Sequence, residues 1–221
     1  MKALVHSLAF TILAFTGFAA VLVEPAAAQD KSSLKIVALG DSLTAGYGLP
    51  ATDTFPARLQ RALQAKGYNV EIENAGVSGD TASGGLSRLD WSIPDGTDGV
   101  IVELGANDML RGVDPKVTRQ ALDDILARLK ERDIPVLFAG MRAAPNLGAE
   151  FVRAYDAIFP ELAQKYDVVF YPFFLDGVAA QAQLALRDGM HPNAEGVQAI
   201  VDGLLPKAEE LIARVKKRGA S

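Results

Sequence analysis

The chain contains no cysteine, two histidines and one tryptophan in 221 residues. Without thiols there is no disulfide framework, no cysteine nucleophile and no thiolate zinc site. The two imidazoles, His6 and His191, lie far apart, so a multi-histidine metal centre is excluded on count, and no metal or other cofactor is expected. Basic residues are scarce relative to acidic ones, 22 against 27, for a formal charge of −5. They gather only at the C-terminus, at Arg214, Lys216, Lys217 and Arg218. Cations suit the end of a helix, and a nucleic-acid partner is not expected. Nucleotide motifs are missing too: there is no G-x-x-x-x-G-K-[ST], and Gly46-Tyr47-Gly48 does not continue into G-x-G-x-x-G. No G-x-S-x-G elbow surrounds Ser42, Ser78 or Ser83, which argues against the α/β-hydrolase layout.

What is present begins with a composite N-terminus. Lys2 precedes an apolar run from Leu8 to Val23, followed by Glu24-Pro25 and Ala26-Ala27-Ala28-Gln29. This is the pattern of a secretory signal peptide, residues 1–28, with cleavage after Ala28. The apolar run is short for a membrane span of about 20 residues. The expected mature chain, residues 29–221, is a single soluble domain without stable membrane insertion, placed in the periplasm or outside the cell. His6 would leave with the signal, so an imidazole base could only be His191.

Along that chain apolar, strand-like runs alternate with amphipathic ones. Strands are expected at Leu34–Leu39, Tyr68–Glu73, Gly99–Leu104, Pro135–Ala139 and Val168–Tyr171. Helices are expected at Phe55–Lys66 behind a Thr54 cap, at Thr81–Leu89 behind an Asp80 cap, and from Asp114-Pro115 to Arg132. The last of these carries Val117, Leu122, Ile125, Leu126 and Leu129 near one face. Two further helices follow, Ala149–Lys165 with a kink or break at Pro160, and Ala194–Lys217 interrupted by Pro206. Such alternation predicts a parallel sheet covered on both faces, with ligands beyond the carboxyl ends of its strands. The segments leaving the first four strands are polar and glycine-rich: GDSLTAGYG, NAGVSGDT, GANDMLRG and GMRAAPNLG.

The first of these is either a tight turn or the seat of a nucleophile, Ser42. A serine needs a base, a group orienting that base, and donors for the developing oxyanion. DGMHPN, residues 188–193, sets Asp188 three residues before His191; on one turn the carboxylate can hold Nδ1–H while Nε2 faces Ser42. An isolated D-x-x-H is otherwise an ordinary turn before a helix. The backbone N–H groups of Ser42 and Gly79 and the side-chain amide of Asn107 are candidate oxyanion donors. Met109, Leu110, Ala143, Ala144, Pro145 and Leu147 either shape an apolar groove for the acyl or aryl part of a substrate or simply pack their loops.

Taken together, GDSLTAGYG, the glycine of VSGDT, GAND and DGMHPN resemble, in that order, the four blocks of the SGNH (GDSL) hydrolases. The chain is similar in particular to their bacterial thioesterase I/lysophospholipase and arylesterase branches. The resemblance runs from about Lys35 to the last helix. It implies a three-layer α/β/α, flavodoxin-like fold with five parallel strands and no metal. It implies a triad of Ser42, Asp188 and His191, an oxyanion hole of Ser42, Gly79 and Asn107, and a bracing role for Asp41. The implied activity is hydrolysis of small carboxylic esters (aryl esters, short acyl esters, lysophospholipids) and acyl thioesters through an acyl-enzyme. Polysaccharide or peptidoglycan O-acetylesterase activity, and a non-catalytic binding protein on the same scaffold, are the alternatives.

Overall fold

The computed structural model describes residues 33–219. The expected signal peptide, its cleavage point and His6 lie outside the described residues. The chain alternates as expected. Strand β1 (Leu34–Gly40) leads into a four-residue helix α1 (Ser42–Ala45) and then α2 (Phe55–Ala65). Strand β2 (Val70–Gly76) is followed by α3 (Ala82–Ser87) and α4 (Leu89–Ser92). Strand β3 (Gly99–Glu103) gives way to α5 (Ala106–Leu110) and the long α6 (Pro115–Glu131). Strand β4 (Val136–Ala139) precedes α7 (Ala149–Asp156) and α8 (Ile158–Tyr166), and β5 (Val169–Tyr171) precedes α9 (Ala194–Arg218).

The five strands form one parallel sheet in the order β2-β1-β3-β4-β5. Helices α2 and α9 lie together over one face; α3, α6 and α8 cover the other. Burial on both faces explains the apolar run Gly99–Val102 of β3, all five residues of which, Glu103 included, are buried. The chain starts at β1, then places β2 to one side of it and β3 to the other. The carboxyl ends of β1 and β3 therefore bound the point where the winding reverses, the ligand-binding crevice of such sheets. Register aligns these ends: Gly40 pairs with Gly76 on one side and Glu103 on the other.

Helix α6 buries Thr118, Ala121, Leu122, Ile125, Leu126 and Leu129. Val117, expected on that face, is exposed, and Thr118 takes its place because its hydroxyl donates to the buried Asp108 carboxylate at 3.1 Å. Helix α2 starts after Thr54, but Thr54 does not cap it through its side chain: its hydroxyl donates back to the Ala51 carbonyl at 3.1 Å. Helix α3 is capped by Thr81, whose Oγ1 accepts from Gly84 N–H, and not by Asp80, which is drawn away to Arg88. The expected Ala149–Lys165 helix divides at Ala157. Pro160 then occupies the first turn of α8, where its missing N–H costs no hydrogen bond. Pro206 does not interrupt α9, which runs through it as one helix of 25 residues. The buried stripe passes on both sides of it, through Leu204 and Ala208, so packing against the sheet outweighs an internal-proline penalty of about 3 kcal/mol. Among the described residues no helix is long and apolar enough to cross a membrane.

Candidate active site

Ser42 is the first residue of α1, directly beyond the end of β1. Asp41 caps this helix, its Oδ1 accepting from Leu43 N–H at 2.9 Å, which fixes where the serine side chain leaves the backbone. His191 arrives from the other end of the chain, 149 residues away, yet its Nε2 lies 3.0 Å from Ser42 Oγ. Its Nδ1 lies 2.7 Å from Asp188 Oδ2. With Nδ1 protonated toward Asp188, Nε2 is left to accept the serine proton.

The Asp188–His191 segment is braced on itself. Asp188 Oδ1 accepts from the N–H groups of Met190 and His191 at 2.9 and 3.0 Å. Those bonds, the Met190 one foremost, and the contact with the imidazole hold the Asp188 carboxyl down at about 2, so it is ionised at any pH where the imidazole could act. Leu186 N–H donates to the His191 carbonyl at 2.7 Å and Asn193 N–H to the Leu184 carbonyl at 2.9 Å, closing a short antiparallel bridge just ahead of α9. Asn193 then caps α9 through Gly196 N–H.

The expected oxyanion donors come from the ends of three adjacent strands. Ser42 follows β1, Gly79 follows β2 and Asn107 lies in α5 after β3. The backbone N–H groups of Ser42 and Gly79 donate to no carbonyl among the described residues. Gly79 has φ +88, a conformation that glycine adopts without strain, and its carbonyl accepts from Arg111 Nη2 at 2.7 Å. The Asn107 amide is not free. Its Nδ2 donates to Asp41 Oδ2 and to the Asp80 carbonyl, both at 3.0 Å, so both amide hydrogens are engaged before any substrate arrives.

Three further residues, unremarked in the sequence, hold this arrangement. Arg88 donates to Asp80 Oδ2 at 2.6 Å, to the Gly40 carbonyl at 3.0 Å and to Ser92 Oγ at 2.9 Å, tying the exits of β1 and β2 together. Tyr155, fully buried, donates its hydroxyl to the Gly105 carbonyl at 2.7 Å and so fixes the turn before Asn107. Glu103, the last residue of β3, is also fully buried; its Oε2 accepts from Thr44 Oγ1 at 2.7 Å and Asp41 N–H at 3.4 Å. Burial, and next the neighbouring Asp41 charge, push the Glu103 carboxyl well above the usual carboxylate range and favour its neutral form. Burial also raises Asp41, to about 6, against the opposing pull of the Leu43 and Asn107 hydrogen bonds. In the sequence Glu103 is visible only as part of the expected strand Gly99–Leu104, and Arg88 only as part of the expected helix Thr81–Leu89.

The residues expected to form an apolar groove separate into two groups. Ala143 is buried, its N–H donating to Asp156 Oδ1 at 2.7 Å, and Met109 packs against the core. Leu110, Pro145 and Leu147 are exposed, and Ala144 is half-buried.

The GDSL-like lipase/acylhydrolase family model matches residues 38–199. The chain is 37% identical over 186 residues to an arylesterase of Vibrio mimicus, covering 84% of this chain and 92% of that protein. It is also 37% identical over 196 residues to the thioesterase 1/protease 1/lysophospholipase L1 of Escherichia coli K12, covering 88% and 91%. Its structure is similar to that of AlinE4, described as an SGNH-hydrolase family esterase, with 48% identity and a TM-score of 0.69 over 80% of this chain and 96% of that one. The five-stranded parallel sheet, the serine at the head of α1 and these similarities lead to one assignment: the chain belongs to the GDSL-like lipase/acylhydrolase family.

Proposed function

We propose that this protein is a serine esterase that hydrolyses small carboxylic esters, in which Ser42 is the nucleophile, His191 the general base and then acid, and Asp188 the residue orienting the imidazole. One observation carries the reading: a hydroxyl, an imidazole and a carboxylate stand in line, at 3.0 and 2.7 Å, at the carboxyl edge of the sheet. Ser42 Oγ attacks the ester carbonyl while His191 Nε2 takes its proton. The tetrahedral oxyanion is met by the Ser42 and Gly79 N–H groups and by Asn107, whose amide releases the Asp80 carbonyl to reach it. Each such donor is worth about 3 kcal/mol of transition-state stabilisation. His191 returns the proton to the departing alcohol, and the same groups then direct water onto the acyl-enzyme.

Aryl esters, short acyl esters and lysophospholipids are the substrate class, with acyl thioesters as a further one; the names of the relatives support this breadth. Leu110, Pro145 and Leu147 flank the acyl or aryl part on their exposed loops. Export to the periplasm or beyond, after cleavage at Ala28, completes the reading and rests on the N-terminal sequence pattern. The test is the initial rate of the purified enzyme and of its Ser42→Ala variant on phenyl acetate, p-nitrophenyl esters of increasing chain length and an acyl-CoA. Loss of turnover in the variant is expected; equal rates from both proteins would refute the assignment.

A further inference from the structure

The Gly46-Tyr47-Gly48 stretch has no part in the triad or among the oxyanion donors, yet its placement is closely specified. Gly46 ends α1 at φ +78, where a Cβ would come within 2.3 Å of Thr54 Cγ2. The N–H groups of Gly46 and Tyr47 both donate to the Ser42 carbonyl, at 3.0 and 3.1 Å. The chain thus reverses at once behind the nucleophile and carries Tyr47 over the catalytic imidazole. The Tyr47 and His191 ring centroids are 4.5 Å apart, with 34° between the planes, nearer to face-on than edge-on. Tyr47 is itself 53% exposed, and its hydroxyl makes no hydrogen bond among the described residues.

We propose that Tyr47 is a positioning residue for the reaction: its aromatic face holds the His191 ring against Ser42 and stabilises the imidazolium formed when the serine proton is taken. A neutral imidazole gains modestly from such a contact, whereas a cation gains more, because the electron-rich face of the ring attracts positive charge. The stabilisation therefore grows as the tetrahedral intermediate forms, the condition for an effect on kcat. The charged groups facing His191 are Asp188 from its own segment and Asp41 from the head of α1; Ser42 faces Nε2, and Tyr47 covers the ring. Asp188 fixes the imidazole at Nδ1, and Tyr47 restrains the rotation which that single hydrogen bond permits. The inference rests on His191 acting as the base in the proposed mechanism.

The test reads the imidazole directly. In a His6→Gln background of the full chain, the C2–H proton signal of His191 is the one histidine signal, and its titration is followed by NMR in the parent, Tyr47→Phe and Tyr47→Leu. A partly exposed cation–π contact predicts that Tyr47→Leu lowers the titration midpoint by about 0.3–0.7 pH unit and kcat for phenyl acetate by about two- to fivefold. Tyr47→Phe keeps both parental values, since the face and not the hydroxyl is used. An unmoved midpoint in Tyr47→Leu overturns the proposal, as does an equal loss in the Phe and Leu variants. A rise in KM alone overturns it as well, making Tyr47 a wall of the substrate site. The NMR arm needs no turnover, so a Ser42→Ala variant that stayed active would sink the mechanism without touching the ring contact. A missing midpoint shift beside an inactive Ser42→Ala would sink only the inference.

Discussion

Replacing Asp41 by asparagine separates catalysis from stability in a way that can be worked out from four atoms. The Asp41 carboxylate accepts twice: Oδ1 from Leu43 N–H and Oδ2 from Asn107 Nδ2. An amide offers one acceptor and one donor. If its oxygen keeps Leu43, its NH2 group opposes the NH2 of Asn107. Asn107 must then rotate, turning its carbonyl oxygen toward the place where the oxyanion develops. The expected loss is that of one oxyanion donor, about 10²- to 10³-fold in kcat, with KM for a small ester little changed. Stability follows different arithmetic. Asp41 rises in the fold from 3.8 to about 6, so the folded protein holds this proton more tightly than the unfolded chain does. Its contribution is therefore fully present below about pH 4 and is lost as pH rises through about 6, a loss of about 3 kcal/mol at neutral pH. Asp41→Asn abolishes that pH dependence. At neutral pH the relief offsets the lost charge-assisted hydrogen bond, itself worth about 1.5–3 kcal/mol, leaving stability close to that of the parent. Steady-state hydrolysis of p-nitrophenyl acetate and urea unfolding at pH 4.5 and 7.5 measure the two effects. In addition, Asp41→Asn combined with Asn107→Ala should be no slower than Asn107→Ala alone. An unchanged kcat in Asp41→Asn, or a double variant slowed by the product of the two single factors, would refute the reasoning.

Burial beneath α1 pushes the Glu103 carboxyl up and favours its neutral form, so Glu103→Gln should keep kcat and unfolding free energy near the parental values. Glu103→Ala strips the acceptor from the Thr44 hydroxyl and Asp41 N–H and should lower stability by about 3 kcal/mol in urea titrations; equal damage from both changes would mean the acid acts as an anion. In α9, Pro206→Ala restores a hydrogen bond to the carbonyl four residues back, at Asp202, and removes the ring clash. It should raise unfolding free energy by about 1–3 kcal/mol with activity unchanged, and no gain in urea midpoint would show that the helix is already adapted to the proline.

The strands of this fold are legible because parallel strands buried on both faces must be apolar throughout, and LKIVALG and GVIVEL leave little else to be. The end of β2 is not, since Asn74 and Ala75 continue the strand through backbone pairing with Ala38 and Leu39, which leaves no trace in side-chain periodicity. Helix termini were misread where two side chains could compete: Asp80 is a fair cap until Arg88, eight residues on, claims its carboxylate. At Pro206 a local rule gave way to burial along the whole of α9. For the site, scarcity did much of the work. With one imidazole left beyond the N-terminal segment, His191 could be paired with Ser42 across the chain without knowledge of the path between them. Glu103 was hidden by the same logic that found β3, for a single glutamate inside the run GVIVEL carries no sign of which buried groups its carboxyl will meet. The engagement of both Asn107 hydrogens, and the reach of Tyr47 across the imidazole, depend on distances between separate strand exits that no spacing along the chain encodes.

The proposed base and its carboxylate partner share one short segment, while the proposed nucleophile sits at the head of α1, just beyond β1. The contact between Asp188 and His191 spans three residues, and that between His191 and Ser42 spans 149. When the segment ahead of α9 lifts, the first contact travels with it and only the second breaks. The enzyme would then be switched off with its imidazole still correctly polarised, and would recover on re-docking without any repair of the acid–base pair. Under mild denaturant, turnover should accordingly fade before the bulk of the fold unravels. That makes the rate a gauge of how often this one segment leaves Ser42.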